Sequence, residues 1–348
     1  MNRKKVFGYK KRKFLFCLAA VVSFAFVSIL VLLIFLSETD YSKKKFVFKL
    51  SEVHSDDYPT ALADKEFARS VYERSGGRIK IEVYTDGRLY SDEPDALKSL
   101  MDGELDFARI SSAPIGRFVP MLNIIQLPLI CRDTEHFLKV ITGPIGKSLL
   151  DSVEKANVGI VGLCFYNSGA RSLYLKNEIH KIEDLQGMKI RIQISPTMNE
   201  LLECCGASGV IGIGTHEVYD KILNGIVDGA ENNIPTYQSM GDYLAAPFYV
   251  RTEHARVPDI LLASSSTFSK LSEADVELIR ECALESEAFQ FEQWEKKEKS
   301  SLDIVKQAAN VVDLPDEERA KLEEKSKMVY KKYEGEYGDL IREILASE

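Results

Sequence analysis

The chain has 348 residues, room for one large domain or two smaller ones, and an ordinary globular composition of 45% hydrophobic and 28% charged residues. Its formal charge of −8 hides an asymmetry: residues 1–37 carry Arg3, Lys4, Lys5, Lys10, Lys11, Arg12 and Lys13 and no acid, leaving 38 of the 45 Lys and Arg against all 53 Asp and Glu. A body that acidic repels a polyphosphate backbone, which argues against nucleic-acid binding, and any anion it holds needs a local Arg or Lys. The six cysteines make no framework, since Cys17 lies in an apolar run, Cys204 and Cys205 are adjacent, and Cys131, Cys164 and Cys282 are scattered. They read as small buried hydrophobes.

Residues 14–36 are 23 consecutive uncharged, mostly apolar residues. At about 1.5 Å per helical residue they exceed the roughly 30 Å hydrocarbon core of a bilayer. The cations of segment 1–13 precede them, so the N-terminus is expected in the cytoplasm and the body outside it. The run ends in bulky residues (Leu32-Leu-Ile-Phe-Leu36) where a cleavage site wants small ones, which favours an uncleaved anchor over the alternative, a cleaved signal. Residues 37–45 read as a polar tether.

The body opens with a strand from Phe46. A helix begins near Pro59, carries Ala63, Phe67 and Val71 on one stripe, and ends at Ser75-Gly-Gly77. Arg78–Tyr84 alternates strictly and predicts a half-buried strand; a helix over Asp95–Met101 stops at Gly103, and Leu105–Ile110 is another strand. Val158–Phe165, Met188–Ile192, Val227–Glu231 and Asp259–Ser264 continue the strands, with a helix over Ser195–Cys204. Ser272, with Asp275 three residues on, starts a long helix; Pro315 breaks it, and a last helix is expected over Glu317–Leu345. The rhythm predicts an α/β fold with crossover helices.

Catalytic templates fail on their own terms. The glycines of Gly206–Gly214 lack a following Gly-Lys-Ser/Thr, and Gly206-Ala-Ser-Gly-Val210 lacks the last glycine of a nucleophile elbow. His216-Glu217 meets no second histidine in register, which removes the common zinc-hydrolase signatures. No catalytic residue, metal site or cofactor is assigned. What remains are polar residues at strand ends, where α/β folds bind ligands: Arg171, Arg191, Asn232 and Asn233. An arginine within an apolar strand must face water or find an anion, and its planar fork suits a carboxylate.

From Phe46 to about Glu287 the chain resembles the substrate-binding proteins of tripartite ATP-independent periplasmic (TRAP) transporters, of the dicarboxylate-binding type. The matching stretches are Glu73–Tyr84, Gly103-Glu-Leu-Asp-Phe107, Phe118-Val-Pro-Met121, Gln126-Leu-Pro128, Glu183–Ile192, Glu217-Val-Tyr219 and Gly225–Asn232. Arg88-Leu-Tyr90 and Pro128-Leu-Ile-Cys131 depart from the family pattern, and the first departure touches one wall of the expected pocket.

The resemblance implies a two-lobed periplasmic-binding-protein-like fold with a ligand cleft between lobes and a long C-terminal helix bracing both. Lobe I is expected over 46–168, completed by part of 258–300; lobe II over 169–257, completed by part of 301–348. It implies that Arg191 forks onto a substrate carboxylate, that Arg171 stands near it, and that Asn232 and one of Ser111 and Ser112, Ser112 foremost, contact ligand. Glu217 matches as well, as a helix cap or a contact. Gly229–Tyr237 and Thr252–Pro258 are similar to a subgroup taking sugar acids such as hexuronates, for which Asn233, Tyr237 and His254 are candidate hydroxyl partners. The expected function is capture of a small organic acid for TRAP membrane subunits, without catalysis. A solute sensor and an enzyme acting on a small carboxylate are the alternatives.

Overall fold

The structure, a computed structural model, describes residues 44–347. The basic segment 1–13 and the apolar run 14–36, with most of the tether, lie outside the described residues. Within them no helix is long and apolar enough to cross a membrane.

Period-two burial makes β1 (Phe46–Ser51): Phe46, Phe48 and Leu50 face inward, Val47 and Lys49 outward. Pro59 opens α1 (Pro59–Arg74), where a missing N–H costs nothing, and Ala63, Phe67 and Val71 form its buried stripe. Then come β2 (Ile79–Tyr84), α2 (Glu93–Asp102), capped by Gly103 at a φ of 78°, and β3 (Phe107–Ser111). Helices α3 (Thr134–Thr142) and α4 (Pro144–Lys155) lead to the fully buried β4 (Ile160–Tyr166). The second run is β5 (Arg171–Leu175), β6 (Lys189–Arg191), α5 (Pro196–Cys204), β7 (Ser208–Val210), α6 (Val218–Leu223), β8 (Gly229–Asn232), α7 (Ile234–Ser239) and β9 (Phe248–Ala255). Next are β10 (Asp259–Ser264), the 36-residue α8 (Glu273–Ala308), β11 (Asn310–Asp313), α9 (Asp316–Tyr330) and α10 (Glu334–Ala346).

Among the described residues the strands form two sheets, one ordered β2-β1-β3-β10-β4 and the other β11-β9-β5-β8-β6-β7. The chain passes between them at residues 167–170, at residues 256–258 and along α8. That helix packs on α1 and β4 of the first half and on α7 and β11 of the second. Ser272 caps it, its Oγ accepting from the Asp275 N–H at 3.1 Å. The alternation of the two halves about these connections is the α/β, two-sheet arrangement of a periplasmic-binding-protein-like fold.

Several expectations need correction at element level. β5 and β9 were not anticipated, and Arg171 is the first residue of β5 rather than part of a loop after β4. The long helix ends at Ala308 and not at Pro315, because β11 intervenes and pairs in parallel with β9. The C-terminal helix is two helices, parted at residues 331–333. The five described cysteines are free thiols, all buried except the half-buried Cys204.

Gly169 sits in the first connection at a φ of 64°, and a Cβ there would lie 2.7 Å from Glu298 Oε1 and 2.9 Å from the Trp294 ring. Left-handed backbone and a close helix both demand glycine. Gly169→Ala is expected to cost about 1–3 kcal/mol, read as a lower urea midpoint with an unchanged slope. A midpoint equal to that of the unmodified protein would remove the requirement.

Candidate functional site

Parallel strands deliver their last residues to one edge of a sheet, which is why distant residues meet here. Arg191 ends β6 and Asn232 ends β8, its parallel neighbour; Arg171 begins β5, which runs antiparallel beside β8 with Ser172 opposite Asn232. Gly229 permits the close β5–β8 approach, since a Cβ there would fall 2.2 Å from the Tyr174 carbonyl oxygen. Facing them across a cleft are the ends of β1 and β3, with Glu52, Val53, His54 and Ser111, and the start of β10 at Asp259.

The cleft has an outer chamber of about 520 Å³, including its open mouth. Its walls are Asp92, Glu93 and Pro94 from the first half and Arg191, Gln193, Ile213 and Thr215 from the second. An inner chamber of about 380 Å³ shares Glu93, Gln193 and Thr215 with it and adds Tyr58, Arg109, Ser111, Arg171, Asn232 and Asn233, among others. Polar contacts bridge the two halves around it. The Tyr58 hydroxyl lies 2.8 Å from Thr236 Oγ1, and the Thr197 hydroxyl donates to the Gln126 carbonyl at 3.3 Å.

Arg191 is only 5% exposed, yet no carboxylate pairs with it among the described residues. Its Nε and Nη2 donate to one acceptor, the Ile213 carbonyl oxygen, at 3.0 and 2.8 Å. One edge of the guanidinium is thereby fixed while the remaining N–H groups border the outer chamber. Asp92 and Asp242 act on it only from beyond contact distance, so a buried cation hydrogen-bonded to a neutral carbonyl is left undercompensated, a deficit that an incoming carboxylate would repair.

Arg171 is in the opposite state. Glu231 grips its Nε and, at 2.9 Å, its Nη2, while Asn232 Oδ1 accepts from Nη1 at 2.8 Å. Burial pushes the Glu231 carboxyl up, but the Arg171 charge and the nearby His254 outweigh it and hold the group at about 2. The geometry therefore makes Arg171 the positioner of Asn232, with its own charge already answered.

The other expected residues divide by location. Asn233 lines the inner chamber but spends its Oδ1 on the Thr236 N–H at 2.8 Å, capping α7. Ser112 is buried away from both chambers, and its neighbour Ser111 lines the inner one, 3.5 Å from Gln193 Oε1. Tyr237 packs among Tyr174, Tyr243 and Tyr249 and donates to the Ala246 carbonyl, so it is core and not a hydroxyl partner. His254 is fully buried behind the site, with Nδ1 on Thr252 Oγ1 at 2.8 Å and Nε2 3.7 Å from Glu231. Glu217 is exposed and accepts from the Gly214 N–H at 2.9 Å, bracing the turn before α6.

The sequence reading missed the opposite wall. Arg109, in the middle of β3, binds Glu52 through Nε at 2.9 Å and through Nη2, and Glu93 through Nη1, with Asp259 at 3.5 Å. His54 stands 2.9 Å from Glu52 and stacks on Tyr58 at 4.0 Å between ring centroids. Burial raises the Glu52 carboxyl, but Arg109 and His54 together bring it well below its usual range. The signal was present: an arginine inside an apolar strand is as conspicuous at Arg109 as at Arg191. Gln193, two residues past Arg191 and shared by both chambers, and Thr215 were also passed over.

Because Glu231 is held far below its ordinary 4.5, its stabilising pair with Arg171 is complete above about pH 4.5 and is lost as pH falls toward about 2. Glu231→Gln should cost about 3–5 kcal/mol at neutral pH by stranding a buried guanidinium. It should also flatten the fall of stability between those two pH values, measured by urea unfolding. An acid limb as steep as that of the unmodified protein would contradict the pairing.

Comparison with known proteins places this geometry in a family. A solute-binding protein of Chromohalobacter salexigens is 32% identical over 291 residues, 83% of this chain and 84% of that protein. A TRAP periplasmic solute-binding protein from a Bradyrhizobium species, solved with α/β-D-galacturonate, superposes with a TM-score of 0.83 at 35% identity, covering 87% of this chain and all of that one. One from Pseudomonas putida, solved with D-glucuronate, gives 0.84 at 28% identity over 87% of this chain and 98% of that one. The profile of the bacterial extracellular solute-binding protein family 7 (DctP) matches residues 50–336, and this chain belongs to that family.

Proposed function

We propose that this protein captures a hexuronate, galacturonate or glucuronate, outside the cytoplasm and hands it to the membrane subunits of a TRAP transporter without altering it chemically. The observation that carries the reading is Arg191, buried in the cleft wall with one edge fixed on the Ile213 carbonyl and no carboxylate in ion-pair contact among the described residues. A hexuronate needs one such cation for its carboxylate and several neutral or acidic acceptors and donors for its hydroxyls. Gln193, Thr215, Ser111 and Asn232 supply neutral groups, and Glu93 reaches both chambers. The structures solved with galacturonate and glucuronate support the same choice of ligand.

Capture proceeds by closure. Ligand favours the closed state only through its extra affinity for it, which comes from touching both halves at once. Arg191 holds the anionic end from the second half, while Glu93 and Ser111 approach from the first. The tie between Arg171, Asn232 and Glu231 keeps the second wall rigid, so little ordering is left for the moment of binding. The apolar run 14–36 behind its basic segment suits an N-terminal anchor that keeps the protein beside its transporter.

The test is calorimetry of the purified protein with D-galacturonate, D-glucuronate and succinate. Tight binding of a hexuronate, well above that of succinate, is expected, and the sugar acid should be recovered unchanged by NMR. Arg191→Ala should weaken hexuronate binding by about 2–5 kcal/mol, on the order of 30-fold to several thousandfold. Equal affinity in the variant, or a converted product, overturns the reading.

A further inference from the structure

Behind the connections between the two sheets, away from the ligand cleft, lies a second cavity of about 980 Å³ that includes its open mouth. It is walled by Thr134 from the first half, Tyr249 and Arg251 from the second, Arg256 from the second connection, and Glu298 and Lys299 from α8. Arg256 is 6% exposed, and its partners are few. Its Nη1 donates to the Thr134 hydroxyl oxygen at 3.2 Å, its Nη2 lies 3.5 Å from Glu253, and its Nε meets no acceptor among the described residues. Glu253 is itself shared, 2.9 Å from Arg251, which Asp313 also engages at 3.0 Å.

The other buried arginines show what compensation looks like. Arg109 and Arg171 are each gripped by carboxylates that outweigh burial and raise them above the ordinary value. Arg256 departs the other way: burial pulls it down, and Glu253, with smaller help from Glu298 and Asp133, makes up only part of the difference. Glu298, another inward acid, is pushed by its own burial toward the neutral form, with Arg256 only partly opposing this, and Glu295 is exposed at the rim. Lys299, exposed at the mouth, has no acidic partner among the described residues.

We propose that this cavity is a second binding site, for a small oxyanion of the carboxylate or phosphate type, held by the Arg256 guanidinium with Thr134 beside it and Lys299 at the entrance. The site is separate from the uronate cleft and does not depend on the reading given above. Its occupant completes the charge that Glu253 leaves unanswered.

Trp294 is the chain's single tryptophan, 1% exposed, and with Glu298 it borders Gly169 next to this cavity. Its fluorescence can therefore report occupancy in the full-length protein at constant ionic strength. Sodium acetate and sodium phosphate are the two probes, and a saturable change with one or both is expected; whichever acts identifies carboxylate or phosphate chemistry. Arg256→Gln should weaken the response at least tenfold and Lys299→Ala about threefold. Titration is repeated in Arg191→Ala, whose main cleft is disabled, and a response that persists there comes from behind the connections. Should Arg256→Gln fail to fold, the Lys299→Ala midpoint decides. No saturable change with either anion, an unshifted midpoint in the position 256 and 299 variants, or loss of the response in Arg191→Ala overturns the proposal.

Discussion

A guanidinium taken out of water and given a backbone carbonyl in place of a carboxylate is an expensive arrangement, and the cleft is organised around it. Arg191 sits at 5% exposure with two of its nitrogens committed to Ile213. Desolvation of a charge is only offset when an opposite charge arrives with good geometry. In the proposed reading the protein supplies the geometry and a ligand supplies the opposite charge. A carboxylate in direct contact with Arg191 would stabilise the empty protein and compete with the proposed ligand, whereas Asp92 and Asp242 reach it only from a distance.

The surrounding arginines show that this was not for lack of acids. Arg171 and Arg109 stand on the two walls and are each closed off by carboxylates, Glu231 on one side and Glu52 with Glu93 on the other. Those pairs fix Asn232 and Glu93 where they border the cleft, so their charges serve position instead of recognition. Buried networks of this kind are stiff when fully satisfied. In the proposed reading, rigid walls and one cation without a paired carboxylate would set the site's selectivity before a ligand enters.

The acidic body sharpens that selectivity. With 53 acids against 45 cations in the whole chain, and all seven cations of the first 37 residues lying outside the body, the average field disfavours anions. Asp92 and Glu93 at the mouth add to it locally. A ligand with a single carboxylate and many hydroxyls meets Arg191 without repelling its neighbours, whereas additional charges on a ligand would face those acids directly. The sugar acid proposed as ligand fits this charge count.

What the sequence alone determined is the part set by short-range rules. Alternation located β2, Pro59 and Ser272 marked helix starts, and Gly103 marked a helix end, because capping and pleating are properties of a few adjacent residues. Motif order was sufficient for the family. Tertiary structure alone decided which polar residues share a cavity. Tyr237 and His254 are polar and near the right motifs, yet register turns Tyr237 into a tyrosine cluster and His254 behind Glu231. Ser111 and Ser112 are neighbours in sequence, and the turn after β3 sends only the first to the chamber. Arg109 went unassigned because its partners lie 57 and 16 residues away, at Glu52 and Glu93. Pairing across such distances depends on which strands the sheet sets side by side, and no local pattern in the chain records that choice.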